Sequence, residues 1–244
     1  MDTGLYAACA GLVARTQALD LAANNLANTS TTAFRSEQPT FHAALASHGV
    51  RTVDSRSAAL NHFSVVGGTR LDLTQGNLES TGNSLDVGIE GSGFMVVKTE
   101  AGTEFTRNGN FHLSPERALL TDSGDAVMGE AGPVQLPEGE VSISADGTIS
   151  VGGAVAAKLK VVEFAPGTPI THSGGSYYTA PTAAAVPAKK SAVRQGMLEA
   201  SNVNSVQAAV GLIALQRHAE MLNRTLTMFH NEFNKLAAEE LPRV

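Results

Sequence analysis

The sequence predicts an α+β protein in which paired N- and C-terminal coiled-coil helices flank a central all-β domain. Three observations predict it: a leucine every seven residues near the start, apolar steps of three and four near the end, and short apolar runs between turn signals in the middle. Residues 1–30 with 204–244 then form a discontinuous helical assembly domain. Residues 31–80 with 189–203 form an extended connector, and 81–188 the central β domain.

The first helix is expected over about residues 3–28. Leu5, Leu12, Leu19 and Leu26 repeat at seven, and Ala8, Cys9, Ala22 and Ala23 share their face. Only Arg15 and Asp20 are charged in this stretch, so the helix lacks the broad charged face of a surface helix and is expected to be covered on several sides. Gly11, like Gly211 in the last helix, costs about 1 kcal/mol against alanine, which close approach between helices would offset. Cys9 is the single cysteine; it reads as a small packing residue and excludes a disulfide framework or a cysteine-based zinc site. Acidic Asp2, with no Lys or Arg, precedes the apolar run 4–14, a poor fit to a secretory signal. No run has the length of a membrane span. If the chain leaves the cytoplasm, a route without a cleaved signal is expected.

Residues 31–80 are polar and rich in Thr, Ser and His, as suits a connector with short strands. Beyond them Leu85, Val87 and Ile89 alternate, and apolar runs follow at 94–97, 111–113, 141–143, 149–151 and 159–164. Turn signals separate the runs: Glu100-Ala101-Gly102, Arg107-Asn108-Gly109, Asp122-Ser123-Gly124 and Asp146-Gly147. This spacing predicts an antiparallel sandwich or barrel-like domain. Residues 179–188, with Pro181 and Pro187, read as a loop leading to the last helix.

The last helix is expected over 204–238. Leu212, Leu215, Ala219, Leu222, Leu226, Phe229, Phe233 and Leu236 fall in the a/d pattern of a seam, and Asn204 with Gln207 resembles a capping box. None of the nine prolines falls inside either helix.

Chemistry is not marked out. A net charge of −6 with no Lys/Arg cluster argues against nucleic acid. Gly88, Gly91 and Gly93 run in the reverse order of a dinucleotide fingerprint and read as a turn or bulge. Asp122-Ser123-Gly124-Asp125 lacks the spaced ligands of a calcium loop and reads as a turn. None of the seven histidines pairs at metal-ligand spacing, His218 and His230 on the last helix included, and neither a serine elbow nor a carboxylate pair stands out. No catalytic, cofactor-binding or metal residue is assigned, and a non-enzymatic structural protein is expected.

Three blocks resemble one family. Leu21-Ala22-Ala23-Asn24-Asn25-Leu26-Ala27-Asn28 with Thr32-Ala33-Phe34-Arg35 is similar to the N-terminal signature of bacterial flagellar rod and hook proteins. Leu85-Asp86-Val87-Gly88-Ile89-Glu90-Gly91-Ser92-Gly93-Phe94, continued by Phe105-Thr106-Arg107-Asn108-Gly109-Asn110-Phe111, looks like its central block. Arg194-Gln195-Gly196-Met197-Leu198-Glu199-Ala200-Ser201-Asn202-Val203-Asn204, leading to Gln216-Arg217, matches the C-terminal block. The start and the modest length look closest to the proximal-rod members, with distal-rod members second. Two residues depart from the pattern: Ala33 stands where the signature usually has Gly, and Ala219 where an aromatic commonly follows Gln-Arg.

The resemblance implies a subunit of the periplasmic rod of the flagellar basal body, polymerising through its terminal helices into a torque-transmitting tube. The assembly interface would comprise Leu5, Leu12, Leu19 and Leu26 against Leu212, Leu215, Leu222, Leu226, Phe229, Phe233 and Leu236. Asn24, Asn25 and Asn28 would hydrogen-bond backbone or a neighbouring helix, or simply end the first helix. Expected partners are other copies, neighbouring rod proteins and the flagellar type III export apparatus, with no nucleic acid and no membrane insertion. Phe41 and Leu45 fit the F-x-x-x-L pattern of export-gate recognition, and equally one amphipathic turn. The alternative is a secreted β-domain binding module oligomerised by its terminal helices.

Overall fold

Asn204 opens the C-terminal helix as its cap: its Oδ1 accepts the backbone N–H of Gln207 at 3.0 Å and its carbonyl accepts that of Ala208 at 2.9 Å. In the computed structural model this helix, α2, spans Ser205–Glu240, and α1 spans Asp2–Ala27. The structure describes residues 2–44 and 63–240, with side chains at 11–40, 68–228 and 231. The chain divides into two compact units. One comprises Met1–Ala27, Glu37–Arg70 and Asn204–Val244; the other comprises Asn28–Ser36 and Leu71–Val203.

In the helical unit, α1 packs against α2 and against β1 (Glu37–Ala44), which pairs with β2 (Phe63–Leu71). The predicted fold class is corrected here. The described chain is mostly β, nineteen strands against two α-helices, and the described leucines do not show the burial of a closed coiled-coil seam. On α1 the buried side chains among those described are Ala14 and Ala18, at 5% and 3% exposure, whereas Leu12, Leu19 and Leu26 are only half-buried. At about 100° per residue the leucine line lies roughly 120° around the helix from the two alanines. Small side chains on the α1 face that is buried let backbones approach closely, which displaces the leucines to the flank.

The second unit is an antiparallel β assembly. Its first strands are β3 (Leu78–Ser80), β4 (Val87–Glu90), β5 (Phe94–Thr99) and β6 (Gly102–Thr106). Next come β7 (Phe111–Leu113), β8 (Leu119–Thr121), β9 (Ala126–Gly129) and β10 (Gly132–Pro133). A three-stranded sheet of β11 (Val141–Ile143), β12 (Thr148–Val151) and β13 (Ala154–Lys158) follows. The chain then forms β14 (Val161–Phe164), β15 (Thr171–Gly174), β16 (Tyr177–Thr179) and β17 (Ala185–Pro187). It returns through β18 (Ala192–Gln195) and β19 (Met197–Glu199), which pair with β4 and β3 respectively. Ten strands form one sheet, with the path β15-β16-β6-β5-β9-β8-β7 and β10, β14 and β17 attached to it.

Strand β5 faces two cores because successive side chains alternate. Met95 joins Val87, Ile89, Phe111, Leu119 and Val193 in one cluster. Phe94 and Val96 join Phe105, Val162 and Tyr178 in the other.

The turns at Glu100-Ala101-Gly102, Asp122-Ser123-Gly124 and Asp146-Gly147 each close a hairpin as expected: β5–β6, β8–β9 and β11–β12. Gly152 and Gly153, at φ +58° and +85°, close the β12–β13 hairpin, where two positive φ values match the twist of the flanking strands. Two expectations are corrected. Arg107-Asn108-Gly109 makes no hairpin, since β6 pairs with β5 and β16 while β7 pairs with β8. The stretch read as a loop at 179–188 contains β17, paired with β14; Pro187 is tolerated because β17 has β14 as its one partner and so lies at an edge.

Candidate functional site

Four stretches of the β unit meet at Glu199 on β19, whose side chain is fully buried. Its Oε2 accepts Arg107 Nε at 2.8 Å, and its Oε1 accepts the backbone N–H of Gly76 at 2.9 Å. The same Oε1 forms an ion pair with Arg35 Nη2, and the Glu199 carbonyl accepts the N–H of Ala33 at 2.7 Å. Both arginines are 1% exposed. A buried charge costs several kcal/mol unless it is paired and hydrogen-bonded, and the pairing here is divided among four segments far apart in sequence.

The glycine-rich turn between β4 and β5 cradles Arg107. Its Nη2 donates to the carbonyls of Ile89 at 3.1 Å and Gly91 at 2.9 Å, its Nη1 donates to that of Gly93, and its guanidinium lies 5.5 Å from the centre of the Phe94 ring. Three carbonyls converge because side chains are absent there: Gly91 has φ +113°, and a Cβ on Gly93 would sit 2.8 Å from Val161 Cγ1. Burial holds Arg107 below its ordinary pKa, and the Glu199 carboxylate opposes that effect. Gly109, two residues on, lies so close to β4 that a Cβ would fall 1.8 Å from the Val87 carbonyl oxygen.

On the N-terminal side Ala33 is fully buried in the left-handed region, at φ +59°. Tyr178 on β16 donates its hydroxyl to the Ala33 carbonyl at 3.1 Å, and burial pushes its pKa up to about 12. Phe34 packs edge-on to His172, ring centres 6.0 Å apart. The carboxylate is fully buried and engaged by Arg107, Arg35 and the Gly76 N–H, so the cluster is a clamp closed to a substrate. Among the described residues no three His, Cys, Asp or Glu side chains could hold a metal ion.

In the helical unit, the Asn25 side chain brackets the start of β1, donating through Nδ2 to the Glu37 carbonyl at 2.8 Å and accepting the Glu37 N–H at 2.9 Å. Asn28 Oδ1, in the β unit, accepts the Thr31 hydroxyl at 3.0 Å. Asn24 is exposed, and Leu212, Leu215, Leu222 and Leu226 are half-buried, as are the α1 leucines given above. The side chains of Leu5, Phe41, Phe229, Phe233 and Leu236, and residue Leu45 as a whole, lie outside the described residues.

Residues 88–151 match the family described as flagellar hook protein FlgE/F/G D1 domain, and residues 194–236 that described as flagellar basal body rod FlgEFG protein C-terminal. The flagellar basal-body rod protein FlgF of Caulobacter vibrioides is 31% identical over 252 residues, spanning 100% of both chains. FlgF of Salmonella typhimurium is 34% identical over 93% of this chain and 94% of its own. The chain belongs to the flagellar basal-body rod protein family. FlgG of Bacillus subtilis is similar at 28% identity, over 93% of the rod protein and 95% of its own length.

The rod protein's clamp was not foreseen from spacing, because Arg35, Arg107 and Glu199 follow no local period. One signal was present: each lies in a different one of the three blocks that carry the family resemblance. Those blocks, remote in sequence, are the ones that meet at the Glu199 carboxylate.

Proposed function

We propose that this chain is a structural subunit of the bacterial flagellar basal-body rod, of the FlgF type, which polymerises through its terminal helices into a tubular, torque-transmitting axis. The observation that carries this is the end-to-end match to FlgF proteins, 31% and 34% identical over at least 93% of the chain. The half-buried leucines of α2 and the leucine line on the flank of α1 support it, since each leaves apolar surface for neighbours to cover. Its role is structural, with no chemical step assigned. Its partners are other copies and adjoining rod proteins. No described helix is long and apolar enough to cross a membrane.

Leu5, Leu12, Leu19, Leu26, Leu212, Leu215, Leu222, Leu226, Phe229, Phe233 and Leu236 form the assembly surface, with Asn24, Asn25 and Asn28 ordering the end of α1. Leu222→Asp tests it: swimming and recovery of the protein in purified basal bodies are lost, while the far-ultraviolet circular dichroism of the β unit is retained. A motile strain carrying that change would refute the assembly surface. Export through the flagellar type III apparatus, with Phe41 and Leu45 at the gate, is tested by alanine at both positions, which should abolish secretion without reducing synthesis.

A further inference from the structure

The chain passes between its two units at four boundaries, and three of them are fastened by one side chain. Ser36, Asp72 and Asn202 each lie within two residues of a boundary, on the β-unit side. The Asn202 Oδ1 accepts the backbone N–H of Ser36 at 2.8 Å. Its Nδ2 donates to the carbonyls of Asp72 at 2.9 Å and Thr74 at 3.1 Å, and its own backbone N–H donates to the Phe34 carbonyl at 3.2 Å. The Ser36 carbonyl in turn accepts the N–H of Asp72 at 2.9 Å, so the three segments are tied pairwise.

Residues 34–36, 72–77 and 200–204 belong to no helix or strand. Irregular segments at the ends of elements are where a chain hinges, because no ladder of backbone bonds there resists a change of φ and ψ. Here an asparagine amide takes the place of that ladder. The chemistry selects the residue: the amide offers acceptor and donor atoms on a short stem, and these segments present one N–H and two carbonyls to it. Aspartate would keep the acceptor and lose both donors, and serine carries one donor only. Asn202 is half-buried and stands outside both hydrophobic clusters, so its bonds fix local geometry more than they sustain the fold.

We infer that Asn202 is a positioning residue of the rod subunit: it pins three of the four crossings into one stiff joint, through which load on either unit passes along the chain to the other. Without the pin, each crossing bends by itself under load. The inference rests on the rod reading and gives a single amide a mechanical task in addition to assembly.

The test compares Asn202→Ala and Asn202→Asp with the parent, each as the sole copy in a strain and as the purified full chain. In purified Asn202→Ala, amide hydrogen exchange followed by nuclear magnetic resonance should quicken about tenfold at Ser36 and Asp72. Val96 and Leu119, whose N–H groups donate to the carbonyls of Lys160 and Val134 within the β unit, should keep their parent rates. In cells both variants should be recovered in purified basal bodies and swim like the parent in dilute medium, then stop at viscosities where the parent still swims. Parent exchange rates at Ser36 and Asp72 would overturn the pin, and so would a viscosity curve matching the parent's with the variant present in basal bodies. Exchange quickened equally at Ser36, Val96 and Leu119, or variants missing from basal bodies, would make Asn202 a residue of stability or assembly and overturn the mechanical task. Absence of the parent protein from basal bodies defeats the rod reading instead, and the mechanical task with it.

Discussion

Arg107 and Glu199, 92 positions apart in the chain, form an ion pair of 2.8 Å with side chains 2% and 0% exposed. The carboxylate also serves Arg35, so two buried cations share one buried anion. The arrangement is therefore sensitive to loss of the anion above all. Ion pairs of this kind contribute little over a well-packed apolar replacement, yet breaking one leaves an uncompensated charge.

Glu199→Gln accordingly costs about 3–5 kcal/mol. It is read as a lower urea midpoint with an unchanged slope. The combined change Arg35→Met, Arg107→Met and Glu199→Leu should recover only part of that loss, because it removes the charges together but leaves the carbonyls of Ile89, Gly91 and Gly93 and the Gly76 N–H without their partners. A Glu199→Gln protein with the parent midpoint would show that the clamp carries no stability.

Ala33 is held at φ +59° with no exposed surface, so its tolerance is narrow. Ala33→Val should destabilise by about 1–3 kcal/mol, since a β-branched side chain is strained in the left-handed region. Ala33→Gly should change the thermal midpoint little: relief of strain offsets the lost methyl and the greater freedom of the unfolded chain. Equal midpoints for the valine and glycine variants would contradict this account.

Gly109→Ala places a Cβ 1.8 Å from the Val87 carbonyl oxygen, and backbone must move to admit it. A loss of about 3 kcal/mol or more is expected. Gly11 in α1 is the contrast, with nothing among the described residues within 4 Å of an added Cβ. Gly11→Ala should stabilise the isolated chain by about 0.5–1 kcal/mol, measured by thermal unfolding.

Tyr178 gives a pH signature at the alkaline end. Its pKa rises from 10.0 to about 12 on folding, mainly by burial. A raised folded value means the stabilisation is fully present below pH 10 and is lost as pH rises toward 12. The loss is roughly 2–3 kcal/mol. Tyr178→Phe removes that dependence, so parent and variant stabilities should converge between pH 10 and 12. Parallel curves would exclude Tyr178 as the titrating group.

The elements most legible from sequence were those fixed locally. Asn204 and Gln207 marked a helix start because capping acts over three residues, and hairpin turns such as Asp146-Gly147 announced themselves through residues that favour tight reversals. Of the glycines read as a turn or bulge, 91 and 93 lie between β4 and β5 whereas 88 lies within β4; the task of that turn, presenting the carbonyls of Gly91 and Gly93 beside that of Ile89 to Arg107, depends on a side chain two strands later. Arg107-Asn108-Gly109 was misread for the same reason: a turn-like triplet serves long-range contacts with Glu199 and Val87. The heptad leucines predicted a seam that Ala14 and Ala18 displaced, because periodicity gives a face without saying which neighbour meets it.

The Gly152-Gly153 reversal has a practical use. Among the described residues nothing lies within 4 Å of an added Cβ at either glycine, and the hairpin tip buries no side chain. Loop-closure entropy rises only slowly with length, so extra residues inserted between the two glycines cost little. A peptide tag or a single dye-bearing cysteine placed there, with Cys9 replaced, would act as an optical pointer on the subunit. Its orientation could then be followed by polarised fluorescence while the motor turns.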